Sequence, residues 1–491
     1  MSGNTENLSL QSNKDITKTN NQFIDYQIVG RTSQKRRMEV VIIGKLVDPK
    51  LKIFIMSGQH GDEKLSRKAT EQLMSHLIKT NGKEFADVSI AVLSNANPDG
   101  AANNKRTTSE NIDMNRDHLL SRSKEVRLIH SFIRSWKPHL IIDVHTFPPT
   151  REYLKKKNYV FNQDIFVDWP TNLGVRRNPD TNKLHSLIKD IQSTLDPLKC
   201  LCDRYVLINP DGRIRHSSDD ILGARNFLSL RYDTLTIIIE GREVLPEEDP
   251  KTQSQLSISA QYNALLSTIK WSMDNISFLT DNTNLHSYNI GDMIAIRFKY
   301  NPPDKKYIIN LKNKLTNKIE EVFFSEYYYY LKPTRMVRIP YGYAVPINNN
   351  KVIRLLHRHG LISIRNTELN SFTAQKYLVI SSNHQKPKTK KSPRPPTKIR
   401  LISLEEEDNL VDYEIFFTSQ AGGHLLPFLL EPQSKYGLTR YKELKLTINP
   451  GDTYPIVRVI KSLETKKDLK TETKKDIKVN KPSSAPIRTN Y

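Results

Sequence analysis

Short apolar runs alternate with helical periodicity between residues 38 and 273, and few folds accept that alternation. Residues 38–43, 53–56, 88–93, 139–144 and 235–239 read as strands. The runs are apolar enough to lie inside a sheet rather than at its edge. Leu65, Ala69, Leu73 and Leu77 recur at one-turn spacing, and Asn81-Gly82 is a helix stop. Residues 121–136, 182–195 and 254–273 are further helices, with a shorter one at 221–230. The expected fold is α/β, a mixed central sheet flanked by helices over residues 22–276.

Three of these strands end in groups that carry chemistry. Gly58-Gln59-His60-Gly61-Asp62-Glu63 follows the strand at 53–56 and opens the next helix. Three residues of separation bring an imidazole and a carboxylate together, a half-site for a divalent metal, zinc above others. The same acids also suit the positive end of a helix. The strand at 139–144 leads into His145, with Asp143 on the same face two residues earlier. The strand at 235–239 ends in Glu240, and Glu243 follows as a rival. In open α/β sheets, sites form beyond the carboxyl ends of strands. Two histidines, one glutamate ligand and a free glutamate are what a zinc hydrolase with an open water position needs. The polar loop 101–118 adds Arg106 and Asp113-Met114-Asn115-Arg116-Asp117. Residues 203–220 read as an irregular polar segment.

Beyond residue 276 the pattern changes. β-rich runs occur at 293–298, 307–311, 322–330, 336–339 and 377–380, with one helix at 351–359 closed by Gly360. More follow at 399–404, 413–419, 444–448 and 454–460. This predicts a mostly β accessory region, 283–383 and 399–460, read as a sandwich split by a basic Pro-rich linker or insertion at 384–398. His357 and His359 read as a pair near a helix C-terminus rather than as metal ligands. Residues 1–21 and the Lys-rich tail 461–491 are expected to be disordered.

The net charge of +22 suggests a nucleic-acid partner, but its distribution argues otherwise. Residues 385–400 hold seven basic and no acidic residues, and 461–491 a net of +5. About half of the excess therefore lies in linker and tail, with no interleaved aromatics to stack on bases. The two cysteines, Cys200 and Cys202, are too few for a disulfide framework or a zinc ribbon. No secretory signal and no membrane-spanning run occur, so a reducing, cytoplasmic location is expected.

The ordered motifs of residues 22–276 resemble the zinc carboxypeptidases of the carboxypeptidase A type, in their short microbial form. His60-x-x-Glu63 looks like the first ligand pair and His145 like the third ligand. Asn97-Pro98-Asp99-Gly100, Arg106 nine residues before Asn115, and Asp113-x-Asn115-Arg116 match the family's signatures in order. Val29-Gly30-Arg31-Thr32 and the run from Val40 to Gly44 are similar to its N-terminal strand pair. The resemblance implies one zinc per chain on His60, Glu63 and His145, and Glu240 as general base. It implies Arg106 as oxyanion stabiliser, and Asn115 with Arg116 as the grip on a free C-terminal carboxylate. The implied substrate is the C-terminus of a peptide or protein.

Two positions depart from that pattern. The family carries a tyrosine about 22 residues before the base; Ser218 stands there, with Tyr205 and Tyr232 as possible substitutes. The pocket-floor position, about fifteen before the base, falls on Arg225, which would favour an acidic C-terminal side chain if it faces the pocket rather than solvent. Asp143 is either the acceptor that orients a metal-bound histidine or an unrelated loop acid. Two other readings stay open: a zinc amidohydrolase of the aspartoacylase or desuccinylase type acting on N-acyl amino acids, and an inactive peptidase fold used for binding.

Overall fold

The computed structural model describes residues 22–463, apart from 86, 176–179, 217, 282–287, 302–304, 366–370, 384–397, 409, 445 and 447–448. The disorder expected at 1–21 and over most of 461–491, and the basic segment 384–397, lie outside the described residues.

The first eleven strands are β1 (Ile24–Arg31), β2 (Arg37–Gly44), β3 (Leu51–Ser57), β4 (Val88–Leu93), β5 (Leu140–Phe147), β6 (Tyr159–Phe161), β7 (Ile165–Asp168), β8 (Cys202–Arg204), β9 (Val206–Ile208), β10 (Ile214–His216) and β11 (Leu235–Arg242). Eight of them form one sheet in the order β1-β2-β4-β3-β5-β11-β7-β8. β4, β3, β5 and β11 run parallel; β1, β2 and β7 add antiparallel pairs. This is the mixed sheet the alternation predicts.

Its strands show why. Ile53 and Ile55 join one core beneath the helices Lys64–Lys79, Thr181–Leu195 and Pro250–Asp274, while Phe54 and Met56 join a second core on the opposite face. Period-two alternation with both faces apolar demands cover on both sides. The helix Lys64–Lys79 buries Ser66, Ala69, Thr70, Leu73 and Leu77, a single stripe at helical spacing. It stops where Asn81 and Gly82 take left-handed φ values of 52° and 62°.

The segment expected to be irregular, 203–220, instead contributes β8, β9 and β10. Short strands rich in polar residues carry no periodic signal. The C-terminal part supplies β12 (Met293–Tyr300), β13 (Lys305–Asn313), β14 (Ile319–Tyr327), β15 (Leu331–Arg338), β16 (Gly342–Pro346), β17 (Ile364–Arg365), β18 (Ser371–Asn383), β19 (Lys398–Asp408), β20 (Tyr413–Phe417) and β21 (Val457–Leu463). β8 pairs with β7 and β9 with β10, while β10 also pairs with β14 of the C-terminal part. One five-stranded sheet, β6-β13-β14-β10-β9, mixes strands of both parts. The others are a β12-β15 pair and a six-stranded β17-β20-β16-β21-β18-β19 sheet.

The mostly β region expected beyond residue 276 is present, and among the described residues its strands form three sheets, one of them shared with the N-terminal part. Asn383 and Lys398, which flank the basic segment, pair across the β18–β19 hairpin, so that segment joins two neighbouring strands. Leu444, expected in a strand, sits in a 3-10 turn, Lys442–Leu444. The helix Asn350–Arg358 is present, and His359 beyond it donates from Nε2 to Leu119 O at 2.8 Å. The core under Phe54 runs unbroken through Leu119, Phe227 and Leu230 to Leu356, Phe428 and Tyr436.

Candidate metal centre and substrate cavity

The turn after β3 is built on close backbone approach. Gly58 has φ of 72°, and a Cβ on Gly61 would lie 2.2 Å from the Gly100 carbonyl carbon. This packing drives His60 inward to 3 % exposure, with Glu63 at 7 % and His145 at 1 %. The ligand atoms of His60, Glu63 and His145 lie within 4.8 Å of one another. Glu63 faces both imidazoles: Oε1 is 2.5 Å from His60 Nδ1, and Oε2 is 3.0 Å from His145 Nδ1.

The other ring nitrogens face carboxylates. His60 Nε2 is 3.2 Å from Asp113 Oδ1, and His145 Nε2 is 3.0 Å from Asp143 Oδ2. A carboxylate that accepts a hydrogen bond from Nε2–H leaves the Nδ1 lone pair pointing at the centre of the triad, as metal ligation needs. The donor set of two imidazoles and one carboxylate, with a fourth position left to water or substrate, fits catalytic zinc. Burial works to raise the Glu63 carboxyl, but His145 and His60 outweigh it and hold Glu63 well below the usual carboxylate range.

Asp143, whose role stayed open in the sequence, also accepts from Gln59 Nε2 at 2.8 Å. Gln59 Oε1 in turn accepts from His118 Nε2 at 2.9 Å, and His118 Nδ1 lies 3.0 Å from His130 Nε2. Sequence reasoning did not find this buried chain, because its members are spread from residue 59 to residue 143 and have no motif.

Glu240 is the register partner of His145 across the β11–β5 pair. It lines a cavity of about 190 Å³ together with Ile238, two residues back on the same face. Burial pushes its carboxyl up to about 7, with His145 pulling it down and Glu63 adding to the rise. Glu243 is not on that cavity; its Oε1 accepts from Thr146 Oγ1 at 3.3 Å.

Arg116 and Asn115 line the same cavity. Asn115 Oδ1 accepts from Ala224 N at 2.9 Å, and its Nδ2 is 3.3 Å from His145 Nε2, so one side chain joins the metal site to the helix Ala224–Tyr232. Arg106 stands beside the metal triad, 3.8 Å from Glu63 Oε1 and donating from Nε to Asp113 Oδ2 at 3.1 Å. The Asn97-Pro98-Asp99-Gly100 segment, expected as a loop, is the Asn97-capped start of a short helix, Pro98–Ala102, and holds this region in place. Asp99 is fully buried and accepts from Thr32, Gln34, Arg36 and Ser109.

Arg225 is buried at 7 % exposure and lines the cavity, so it does not face solvent. Its guanidinium pairs with Asp168, which also accepts from Arg204 Nε at 3.1 Å. Two guanidiniums thus share one carboxylate, and this trio carries an excess of one positive charge. Tyr205 lines the cavity and accepts at its hydroxyl from Arg151 Nη2 at 2.7 Å. Tyr232 does not line the cavity and packs edge-on against His130. Ser218 is also on the cavity wall.

With this geometry in view, the sequence profile described as zinc carboxypeptidase matches residues 10–149. Over residues 10–149 the chain is similar to the zinc carboxypeptidase family. Carboxypeptidase 2 of Trichophyton rubrum is 28% identical over 151 residues, which are 29% of this chain and 28% of that protein. The matched stretch thus spans well under half of that relative's length. A putative carboxypeptidase A from Shewanella denitrificans is similar in structure, with 21% identity, a TM-score of 0.39, and 50% of this chain and 65% of that chain covered. A metallo-carboxypeptidase from Pseudomonas aeruginosa gives 20% identity, a TM-score of 0.38, and coverage of 50% and 64%. The zinc carboxypeptidase match contains His60, Glu63, His145, Arg106, Asn115 and Arg116 and ends before Glu240 and Arg225. Those two join the site through sheet register and the shared cavity.

Proposed function

We propose that the chain is a zinc-dependent metallocarboxypeptidase that hydrolyses the C-terminal bond of peptides or proteins and favours an acidic C-terminal residue. The observation that carries this reading is Glu240, set beside His145 and facing the same cavity as Asn115 and Arg116. His60, Glu63 and His145 would hold zinc, which supplies Lewis-acid polarisation of the scissile carbonyl and acidification of water. Glu240 takes the proton of the attacking water and hands it to the leaving amine. A carboxyl near 7 exchanges protons readily in both directions at neutral pH. Arg106, beside Glu63, stabilises the developing oxyanion. Arg116 and the Asn115 amide grip the free carboxylate at the cavity mouth. Arg225 on the cavity wall supports the acidic preference.

The test is a panel of blocked dipeptides ending in Glu, Leu or Lys, with C-terminal amides and N-acetyl amino acids alongside. The expected result is cleavage that requires a free carboxylate and is fastest for Glu. Cleavage of N-acetyl amino acids alone would turn the assignment to an amidohydrolase. Zinc binding with no turnover of any compound would leave a binding protein.

A further inference from the structure

The cavity wall between β10 and the helix Ala224–Tyr232 includes Ser218 and Asp220. Asp219, between them, is 3 % exposed. A buried carboxylate is costly unless it is paired and hydrogen-bonded. Both kinds of partner come from the C-terminal part of the chain. Lys435 Nζ forms an ion pair with Asp219 Oδ2. The Tyr436 hydroxyl donates to Asp219 O at 2.7 Å and stands 3.2 Å from Oδ2.

This anchor is itself rooted in the β-rich region. Tyr436 is 2 % exposed and packs near Phe298 and Phe428, with ring centroids at 6.3 and 6.5 Å. Lys435 N donates to Ile296 O at 2.9 Å, and its Nζ lies 5.6 Å from the Phe298 ring centroid. From the other side the same wall is held by Asn226, whose Nδ2 donates to Ser218 O at 2.7 Å and Asp220 O at 3.0 Å. The wall is thus clamped between the helix Ala224–Tyr232 and a segment more than 200 residues downstream.

We infer that Lys435 and Tyr436 are positioning residues that set the shape of the cavity for the C-terminal residue of the substrate, so that the β-rich region is part of the specificity apparatus. The inference rests on the carboxypeptidase reading above. A wall that shifts misplaces the bound side chain and carboxylate without touching the metal ligands or Glu240. The effect belongs in KM and in discrimination between substrates, with kcat little changed.

The experiment compares the full-length protein with Tyr436→Phe and Lys435→Met, which keep the ring and the aliphatic stem. It measures zinc content, kcat and KM for the Glu, Leu and Lys dipeptides, and amide hydrogen exchange over residues 218–226. Loss of one such hydrogen bond should raise KM for the preferred dipeptide ~5-fold, leave kcat within ~2-fold and narrow the ratios between dipeptides. Exchange should quicken at unchanged zinc content. Wild-type KM and ratios in both variants would overturn the inference, whatever the exchange does. If either variant fails to fold, Asp219→Asn carries the same test, since it removes the charge and keeps the shape. If the unmutated protein cleaves no dipeptide, the carboxypeptidase reading falls by itself. The clamp then stands if exchange quickens in the variants and falls if it does not.

Discussion

Glu240 and His145 are register partners on adjacent parallel strands, so the candidate base and the third candidate ligand stand side by side at one level of the sheet. Their spacing is a property of the β ladder and not of any loop. Neighbouring strands lie about 4.8 Å apart, which leaves room for a ligand at the metal between the two groups.

This relationship predicts a sharp separation of metal binding from turnover. Glu240→Gln should keep zinc and fold while losing ~10²- to 10⁴-fold in kcat, the range for removing a general base. Glu243→Gln, off the cavity, should stay within a few-fold of the unmutated protein. Steady-state kinetics with elemental analysis on both variants checks this; the reverse ranking would make Glu243 the base.

The metal itself is predicted at one zinc per chain. His145→Ala removes one of three buried donors and should lose the ion under dialysis that the unmutated protein survives. Asp143→Asn should instead weaken zinc binding ~10- to 100-fold, because Asp143 orients His145 and is not one of the three donors. Competition with a chelator of known affinity measures both.

Asp168 pairs with the buried Arg225 of the cavity wall and with the partly buried Arg204. Asp168→Ala should cost roughly 3–5 kcal/mol of stability, read from a denaturant midpoint, since Arg225 and Arg204 would lose their shared counter-charge. Arg225→Ala should erase the preference for a C-terminal Glu over Leu. Equal turnover of acidic and apolar dipeptides by the unmutated protein would refute that preference.

Stability should also fall in mild acid. Burial pushes His118 and His216 down to about 4 and His359 to about 3. In the unfolded chain they titrate near 6.5, so below that value the unfolded state binds more protons. Their contribution is complete above about pH 6.5 and is lost as pH falls toward 4, at up to ~1.4 kcal/mol per pH unit for each histidine. Urea midpoints at pH 7, 5.5 and 4.5 should decline in that order; a flat series would show that these imidazoles stay solvated.

The metal half-site was legible because its ligands follow strand ends and lie close along the chain. His60 and Glu63 are three residues apart, and Asp113, Asn115 and Arg116 form one cluster. Tyr205 could be named in the sequence but not placed, and its partner Arg151 and the Asp168 that holds Arg225 were not legible, because strand pairing and side-chain packing bring them together. Nor did any local pattern mark Arg225 as paired, since its partner lies 57 residues earlier.

The sequence by itself determined the central sheet. Apolar strands with two buried faces and helices with one buried stripe have few other ways to leave water. It also determined which residue types stand at the strand ends. Only the tertiary structure decided that β13 and β14 complete a sheet begun by β6, β9 and β10, and that Lys435 and Tyr436 hold the cavity wall. Short polar strands and single buried ion pairs have no periodicity of their own. Their energy comes from partners that only the folded chain brings within reach.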